Sequence, residues 1–521
     1  MAKRSKVIPT STSIEKKSGY GIDVFADDPS LRIYVGNRTE KWMDAIHNSL
    51  LAGEGGDVKN DALRIALPAL LAGATLAACA GLPTVSLDDA KAVAAQAALV
   101  RDAHGRLPGP GTERLLKKRW SSSTLDSKAL AILEEAATGV PLIAGNKVEL
   151  LFDGPLTMAE MAKSIAVARN SINFETYVFD QDEQGERFAD LLILKQREGV
   201  VVNVIYDSVG TINVPQAFFE RMRSSGIHLL AFNPVNPAKL RGSGWKLNNR
   251  GHRKLLIIDG KVAFTGGVNI SDTYANSSPF RARFDQRAND RDDSGWRDTH
   301  LKIEGPAVPA LQWAFVQAWL EQDADELRGA DYFPKQVVMG DKVVRVLASA
   351  PHGHFEIYKA LLLALQEAKQ SIHITSAYFV PDKQTLSALT NAARRGVDVQ
   401  LVLPSISDAG LVRHAGRSSY TQLLEAGVRI HELKRSVLHA KTAVVDGVWS
   451  TVGSTNIDQR SFVHNYELNV IVIGDTFGAE MASAFQEDLR NSKEVTLSQW
   501  QRRPLVERVQ EWFAELLKYW L

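Results

Sequence analysis

The chain has 521 residues, with 61 Lys and Arg against 60 Asp and Glu, so its formal net charge at pH 7 is +1. This balance argues against a general nucleic-acid binder, and the single cysteine excludes an internal disulfide and a cysteine-based metal site. Hydrophobic residues make up 45% and charged residues 23% of the chain, which is typical of a globular protein large enough for more than one core.

One uncharged, alanine-rich stretch, 65–87, has the hydropathy to enter a membrane, but its prolines and glycines make it a poor spanning helix. Together with the basic residues Lys59 and Arg64, it resembles a bacterial lipoprotein signal that ends in Leu-Ala-Ala-Cys at Cys79. We therefore expect 58–79 to be a signal segment, with a lipid anchor on Cys79. The protein would then lie on the periplasmic side of a membrane in the bacterial cell envelope.

Residues 1–57 precede this signal and show little periodicity. Gly53–Gly56 is what a purine-rich ribosome-binding sequence would encode if it were translated. Val58 could correspond to a GTG start codon, at a distance from that sequence that suits the start of translation. We therefore expect 1–57 to be an untranslated or disordered extension. The alternative is a true extension followed by a weak transmembrane or buried helix. The composition of residues 80–140 favours helix, and this region is expected to form a spacer between the lipid anchor and the rest of the protein.

From residue 141 onward the chain repeats one pattern twice, which predicts two halves, 141–335 and 336–521. Each copy has an apolar stretch of helical period, then a strand that begins at Ser171 or Ser371. A second helix ending in Arg-(Glu/Arg)-Gly-Val and a further strand follow. Strands that alternate with helices predict an α/β sandwich. Because the repeat is much longer than that of a solenoid, we expect two packed halves with approximate two-fold symmetry.

Each half also contains the same 18-residue motif, in which five residue types recur at identical offsets. A lone His-x-Lys carries little weight, but the matched pair is a strong signal. Since alternate residues of a strand point to one face, the His and Lys of each copy project together. The two copies are His252-x-Lys254-x4-Asp259-x6-Gly266-x2-Asn269 and His439-x-Lys441-x4-Asp446-x6-Gly453-x2-Asn456.

Two imidazoles and two ammonium groups that meet across a two-fold axis form a pocket suited to a phosphate diester. A neutral imidazole can attack phosphorus and form a covalent phosphohistidine. The other imidazole, when protonated, can give its proton to the leaving alkoxide and later take one back. The lysines would hold the charged nonbridging oxygens. No metal or other cofactor is expected, because the protein itself supplies the cations.

The other motif residues are the aspartates, glycines and asparagines that follow the His and Lys of each copy. Asp-Gly is the favoured dipeptide of a tight hairpin, so Asp259 and Asp446 are either turn residues or direct participants, and we include both among the catalytic candidates. The glycines allow a returning strand to approach the site closely. Asn269 and Asn456 would supply hydrogen-bond donors there.

These motifs resemble the phospholipase D superfamily and, within it, the bacterial cardiolipin synthase branch. The similarity covers roughly 141–500 and leaves the N-terminal region unaccounted for. It implies two phospholipase D-like α/β/α halves in one chain, hence a monomer with an internal pseudo-dimer. The sequences that carry the resemblance are Gly-His-Arg-Lys at 251–254, Trp-Arg-Asp-Thr-His at 296–300, Leu-His-Ala-Lys-Thr-Ala-Val-Val-Asp-Gly at 438–447, Gly-Ser-Thr-Asn at 453–456 and Arg-Ser-Phe at 460–462.

The resemblance also implies roles for the site residues. It makes His252 the nucleophile and His439 the general acid and base. It further implies that an acidic residue from the opposite half contacts each imidazole, and the candidates are Glu467 for His252 and Asp298 for His439. Such an acid would fix the tautomer and stabilise the imidazolium. Synthases of this branch often carry N-terminal transmembrane helices, whereas this chain has one lipoprotein-like signal.

The favoured function is phosphatidyl transfer, in which phosphatidylglycerol resolves the intermediate to form cardiolipin. Resolution by water would instead give phospholipase D hydrolysis to phosphatidic acid. A nuclease of the same superfamily is less favoured because the charge is balanced. An envelope scaffold with an inactive site is disfavoured because both motif copies are complete. The expected partners are thus a phospholipid and a membrane surface, with no nucleic acid.

The C-terminal tail, Pro504–Leu521, is predicted to be an amphipathic helix with Trp512, Phe513, Leu516, Leu517 and Trp520 on its apolar side. Apolar stripes at helical spacing are usually packed in a core, so packing on the second half is the favoured interpretation. The alternative is contact with a membrane.

Overall fold

The structure is a computed structural model that describes most of residues 81–518. No membrane-spanning helix is found within the described ranges. The expected extension 1–57, the signal segment 58–79 and Cys79 itself lie outside them. The described residues are 81–93, 100–119, 127–236, 246–275, 295–322, 324, 326–351, 353–434 and 436–518.

The described strands are β1 Val100–Asp102, β2 Gly105–Arg106, β3 Leu142–Leu151, β4 Ser171–Thr176, β5 Val201–Asp207, β6 His228–Phe232, β7 Arg250–Gly251, β8 Leu255–Ile258, β9 Val262–Gly266, β10 Trp296–Arg297, β11 His300–Glu304, β12 Lys342–Ser349, β13 Ser371–Ser376, β14 Asp398–Pro404, β15 Arg429–Leu433, β16 Val437–Leu438, β17 Lys441–Val445, β18 Trp449–Gly453, β19 Asn465–Ile473 and β20 Ser492–Val495.

The described helices are α1 Leu87–Val93, α2 Gly109–Arg119, α3 Ser127–Thr138, α4 Gly154–Ala166, α5 Glu183–Arg197, α6 Gln216–Ser224, α7 Asp272–Ala275, α8 Val308–Leu320, α9 Glu356–Glu367, α10 Lys383–Arg394, α11 Gly410–Arg417, α12 Tyr420–Glu425, α13 Gln459–Val463, α14 Asp475–Arg490, α15 Leu497–Gln501 and α16 Leu505–Leu516. Asp182 and Asp382 cap the N-termini of α5 and α10, the equivalent helices of the two halves.

One mixed sheet runs through both halves. Its strand order is β6-β5-β4-β8-β9-β11-β3 in the first half and β15-β14-β13-β17-β18-β19-β12 in the second. The halves meet where β3 and β12 pair antiparallel. The same order therefore occurs twice, which confirms the prediction of two related α/β halves.

Helices cover both faces of each half of the sheet. On the outer faces, α4, α5 and α6 bury apolar side chains against the first half, and α9, α10 and α12 do so against the second. A core shared by both halves includes Phe315 of α8 and Phe477 of α14. The strands between these layers carry few exposed residues, as expected for strands buried on both faces. Each half is thus an α/β/α sandwich, as the resemblance implies.

Described residues before β3 contribute to the core of the second half, where the sequence suggested a spacer over 80–140. Leu116, Leu130 and Leu133 are buried in the same apolar cluster as α9. The Trp449 indole donates to the Glu134 carboxylate at 2.7 Å, which ties α3 to β18. This region is not wholly helical, because Val100–Asp102 form a strand that pairs with β3. The three leucines are therefore covered by the second half.

Candidate active site

Two very short strands hold the motif histidines against the opposite half of the protein. β7 pairs parallel with the start of β19, and the backbone N–H of His252 donates to the Tyr466 carbonyl at 3.0 Å. In the same way β16 pairs parallel with β10, and the His439 N–H donates to the Arg297 carbonyl at 2.8 Å. Each histidine therefore follows a two-residue strand whose partner comes from the other half.

The carboxylate that contacts each imidazole comes directly after the two paired residues of that partner strand. Both Glu467 oxygens lie 3.0 and 3.1 Å from Nδ1 of His252, and Oδ2 of Asp298 lies 2.6 Å from Nδ1 of His439. The Ser454 hydroxyl donates to Glu467, and the Thr299 N–H donates to Asp298 at 2.8 Å. Each carboxylate thus lies against the imidazole to which the resemblance assigned it, 215 and 141 residues away along the chain.

Burial and charge set the protonation of the first pair. Burial lowers the pKa of His252 to about 4, although Glu467 opposes the shift. Burial alone would raise the pKa of Glu467, but its interaction with His252, the charge of Lys254 and the hydrogen bond from Ser454 outweigh it and hold this pKa below its usual value. At neutral pH His252 is therefore neutral and Glu467 ionised. Because an ionised carboxylate only accepts hydrogen bonds, Nδ1 carries the proton and Nε2 keeps its lone pair.

In the second pair, the pKa of the histidine is lowered and that of the carboxylate is raised. Burial, followed by the charges of Lys441, Lys254 and His252, lowers the pKa of His439 well below its usual value. Burial raises the pKa of Asp298 to about 6, against the influence of Lys441. Each imidazole also contacts a carboxylate of the opposite half, so residues of both halves contribute to each histidine contact.

The two motif lysines place positive charge beside the imidazoles. Nζ of Lys254 donates to the His252 carbonyl at 2.7 Å, and Lys441 makes the equivalent bond to His439. Burial and the charge of Lys441 lower the pKa of Lys254 to about 7, and burial lowers that of Lys441 to about 8. Since a bound anion would relieve this repulsion, the pocket suits a phosphate group. Among the described residues, no three His, Cys, Asp or Glu side chains converge as metal ligands would.

Aromatic rings enclose both imidazoles, and the motif analysis missed them. The Tyr177 ring lies edge-on to His252, with centroids 5.2 Å apart. Around His439, the centroids of Trp296, Tyr274 and Tyr378 lie at 5.0, 5.7 and 6.4 Å. With these rings beside them, His252 and His439 are 8% and 5% exposed. Tyr177 and Tyr378 follow the repeated strands β4 and β13, so the repeat itself contained a signal for them.

Two buried acids outside the motif hold the short cross-strands in place. Oδ2 of Asp207 accepts the Gly251 N–H at 2.9 Å, directly before His252. Asp488 accepts two bonds from the Arg297 guanidinium, at 2.8 and 3.0 Å, directly before Asp298. Neither acid belongs to the repeated motif, so the sequence offered no signal for its role.

The structure favours the turn interpretation of Asp259 and Asp446 over a direct catalytic part. Both occupy left-handed hairpin positions, with φ of 53° and 51°, at the ends of β8 and β17 remote from the lysines. The Asp259 carboxylate accepts the backbone N–H groups of 169, 170 and 171, and Asp446 accepts those of 369, 370 and 371. Their hydrogen bonds are thus made to backbone and not to an imidazole. We propose a positioning role for both, which anchors each motif hairpin to the start of β4 or β13.

We expect Asp446→Ala to lower stability by about 2 to 4 kcal/mol, because three backbone donors lose their acceptor. Asp446→Asn retains one acceptor oxygen and tolerates positive φ, so a smaller loss is expected. Thermal unfolding and the kcat of the folded fraction provide the measurements. A loss of about 10³ in kcat with unchanged stability would instead restore the direct role for Asp446, since such a loss is typical of acid–base groups.

The two motif asparagines differ in their surroundings. Asn269 accepts the Val178 N–H at 3.1 Å and donates to the Tyr274 hydroxyl at 2.7 Å; that hydroxyl lies 3.3 Å from Nδ1 of His439. Asn269 therefore supports the histidine of the opposite half through Tyr274. Within the described part of the chain, Oδ1 of Asn456 is buried without a hydrogen-bond partner. Asn456 and Lys441 both line a cavity of about 30 Å³, which is sufficient for one water molecule.

The motif glycines are required by close packing. A Cβ at Gly266 would lie 2.5 Å from the Thr299 carbonyl, and one at Gly453 would lie 2.1 Å from the Asn469 side chain. A larger residue at either position would push away the strand that leads from Asp298 or Glu467. The predicted close approach of a returning strand is confirmed.

The chain matches a family model and the sequences of known proteins. A family model described as cardiolipin synthase, PLD-like domain, matches 161–278 and 361–489, one copy in each half. The chain is 35% identical to the cardiolipin synthase of Alkalihalophilus pseudofirmus over 380 residues, which cover 72% of this chain and 73% of that protein. It is 33% identical to cardiolipin synthase 1 of Bacillus cereus over 388 residues, which cover 73% of each chain.

A solved structure shares the fold at much lower identity. Phosphatidylserine synthase of Haemophilus influenzae aligns with a TM-score of 0.56 and 13% identity. The alignment covers 74% of this chain and 99% of that one. Both halves of the sandwich therefore have a counterpart in a single solved protein.

Proposed function

Since the chain belongs to the cardiolipin synthase branch of the phospholipase D superfamily and is a phospholipid phosphatidyltransferase, we propose that it forms cardiolipin from two molecules of phosphatidylglycerol. The observation that carries this proposal is the pair of imidazoles, each in contact with a carboxylate of the opposite half, beside two buried lysines. Both halves contribute to this one site, which supports a functional monomer with an internal pseudo-dimer.

In the first step, Nε2 of His252 attacks the phosphorus of phosphatidylglycerol. A P–N bond forms, the P–O bond to the glycerol headgroup breaks, and a phosphohistidine results. The neutral state of His252 supports this role, since its lone pair is available at neutral pH. Lys254 and Lys441 would hold the nonbridging oxygens as negative charge develops.

His439 would donate the proton that the leaving glycerol alkoxide requires. In the empty site, burial and nearby cations lower the pKa of His439. A phosphate diester carries a negative charge that offsets those cations, so we expect His439 to take up a proton when substrate binds. Asp298 would stabilise the resulting imidazolium.

In the second step, a hydroxyl of another phosphatidylglycerol attacks the phosphohistidine. The P–N bond breaks, a new P–O bond forms, and His439 takes the proton of the hydroxyl. Water in place of the alcohol would give phosphatidic acid. Transfer is favoured over hydrolysis because the relatives that the chain matches over most of its length are cardiolipin synthases.

Incubation of the purified protein with phosphatidylglycerol vesicles tests this proposal. We expect cardiolipin and free glycerol in equal amounts, resolved by chromatography and measured as lipid phosphorus and glycerol. If phosphatidic acid is the main product, the protein is a hydrolase and the proposed cardiolipin synthesis is wrong. A parallel incubation with plasmid DNA tests the nuclease, and nicked DNA without any lipid product would overturn the proposal.

A further inference from the structure

The C-terminal helix α16 exposes its apolar side chains and buries polar ones. Leu505 is 75% exposed, Trp512 62% and Phe513 54%, while Glu511 is 2% exposed. The prediction that this apolar stripe packs on the second half is wrong, and Trp520 lies outside the described residues. The exposed stripe consists of Leu505, Val506, Val509, Trp512, Phe513 and Leu516.

Ion pairs determine which face of α16 turns inward. Arg417 of α11 contacts Glu507 at 2.7 Å and Glu511 at 3.3 Å, and Arg503 contacts Glu511 at 3.0 Å. Beside this network, Ala514 packs into a small apolar cluster at the surface of α11. Both carboxylates lie on the side of the helix opposite the stripe. When they form ion pairs with the two arginines, the apolar side chains therefore face outward. The exposed stripe is therefore a consequence of specific contacts on the buried side.

The surface that carries this stripe adjoins the active site. Helix α16 packs against α11, and the loop that leads into α11 contains Asp408. Asp408 accepts hydrogen bonds of 2.9 and 2.7 Å from the hydroxyl of Tyr378, whose ring lies against His439. The same loop and helix expose Ile406 and Leu411. The helix on which α16 packs and the loop that leads to Tyr378 therefore also expose apolar side chains.

We propose that α16, with Ile406 and Leu411, is a docking surface for the phospholipid bilayer. The inference rests on the proposed function, because an enzyme that uses phosphatidylglycerol must take both substrates from a membrane. Helices that lie in the bilayer interface bury an apolar face rich in Trp, Phe and Leu. Arg502 and Arg508 are exposed next to the stripe and would attract anionic headgroups.

The chemistry of the stripe favours a bilayer over a second copy of the chain. Its Trp, Phe and Leu side chains are of the kinds that helices in the bilayer interface bury, and the exposed Arg508 of the same helix would meet anionic headgroups. A protein partner would need to bury ~800 Å² on each side, whereas each apolar side chain that enters a bilayer adds to binding independently.

A fluorescent label at two neighbouring positions tests this contact directly. In a Cys79→Ser background, Phe513→Cys in the stripe and Gln510→Cys beside it each receive an environment-sensitive dye. With vesicles of phosphatidylglycerol and phosphatidylethanolamine, we expect emission at 513 to rise at least twofold and to be quenched by brominated acyl chains. The label at 510 should change little. If the protein sediments with vesicles while the label at 513 remains unquenched, another segment binds the membrane and the proposal is overturned.

Activity on two forms of the same lipid separates this proposal from the proposed function. We expect Trp512→Ser/Phe513→Ser to lower cardiolipin formation on vesicles at least tenfold, and to leave turnover of short-chain, water-soluble phosphatidylglycerol within twofold of the parent. The control Gln510→Ala/Glu515→Ala should match the parent on both. Equal rates on vesicles would overturn the docking surface, as would a dimer that the double variant dissociates. If the parent makes no cardiolipin, the proposed function fails, and the label at 513 still decides the docking surface.

Discussion

His252→Ala should abolish both cardiolipin formation and the covalent intermediate, with a loss of about 10⁴ or more in kcat, because no other group can replace a missing nucleophile. Its neutral imidazole and its contact with Glu467 make His252 the group poised to attack phosphorus. Reactions with phosphatidylglycerol labelled at phosphorus, quenched in SDS at mildly alkaline pH because the P–N bond is acid-labile, provide the measurement. The protein should carry label in the parent and none in His252→Ala.

His439→Ala is expected to behave differently, because it removes the proton donor and not the nucleophile. Turnover should fall by about 10² to 10⁴, and labelled protein should still accumulate, since resolution of the intermediate also needs His439. His104→Ala, at an exposed histidine, is the matched control and should behave as the parent. Label trapped by His252→Ala and absent from His439→Ala would reverse the two roles.

Glu467→Gln and Asp298→Asn should each lower kcat by about 10² to 10⁴, since an orienting carboxylate contributes on that scale in comparable triads. The side-chain amide that Glu467→Gln introduces could donate to Nδ1 of His252, which would move the imidazole proton to Nε2 and block attack. Glu467→Gln should therefore lose the labelled intermediate. Asp298→Asn acts on His439 and should slow both steps while label still appears.

Ser454→Ala provides the control for this comparison. It removes a hydrogen bond to Glu467 but leaves the carboxylate in place, so we expect a loss of only about tenfold, the equivalent of about one hydrogen bond. Circular dichroism and thermal unfolding show whether each variant folds. If folded Glu467→Gln trapped label at the rate of the parent, Glu467 would have no part in orienting the nucleophile.

The amino-acid sequence by itself identified the duplicated α/β fold and the two histidines and two lysines at its centre. Periodicity and repetition are local or pairwise properties of the chain, so they can be read without coordinates. His252 and Lys254 were recognised because residues two apart on a strand share a face, and the second copy removed the ambiguity of a lone motif. Asp-Gly likewise predicted both hairpins, whose positive φ values the structure confirms.

The tertiary structure decided which groups from distant parts of the chain meet. Glu467 and Asp298 came from a family resemblance and not from spacing, since each contacts a histidine across the two halves. No sequence pattern pointed to Asp207 and Asp488, because their role consists only of hydrogen bonds to the Gly251 N–H and the Arg297 guanidinium. The choice between turn residue and catalyst for Asp259 also depended on where its oxygens point.

The C-terminal helix shows this division most clearly. Its sequence reveals a stripe of apolar residues, but an amphipathic pattern states only that two faces differ and not which one is covered. That choice depends on Arg417, which lies about a hundred residues earlier and binds Glu507 and Glu511 across 90 and 94 positions. Interactions between residues so far apart exist only once the chain has folded, so the direction of the apolar face is a property of the tertiary structure.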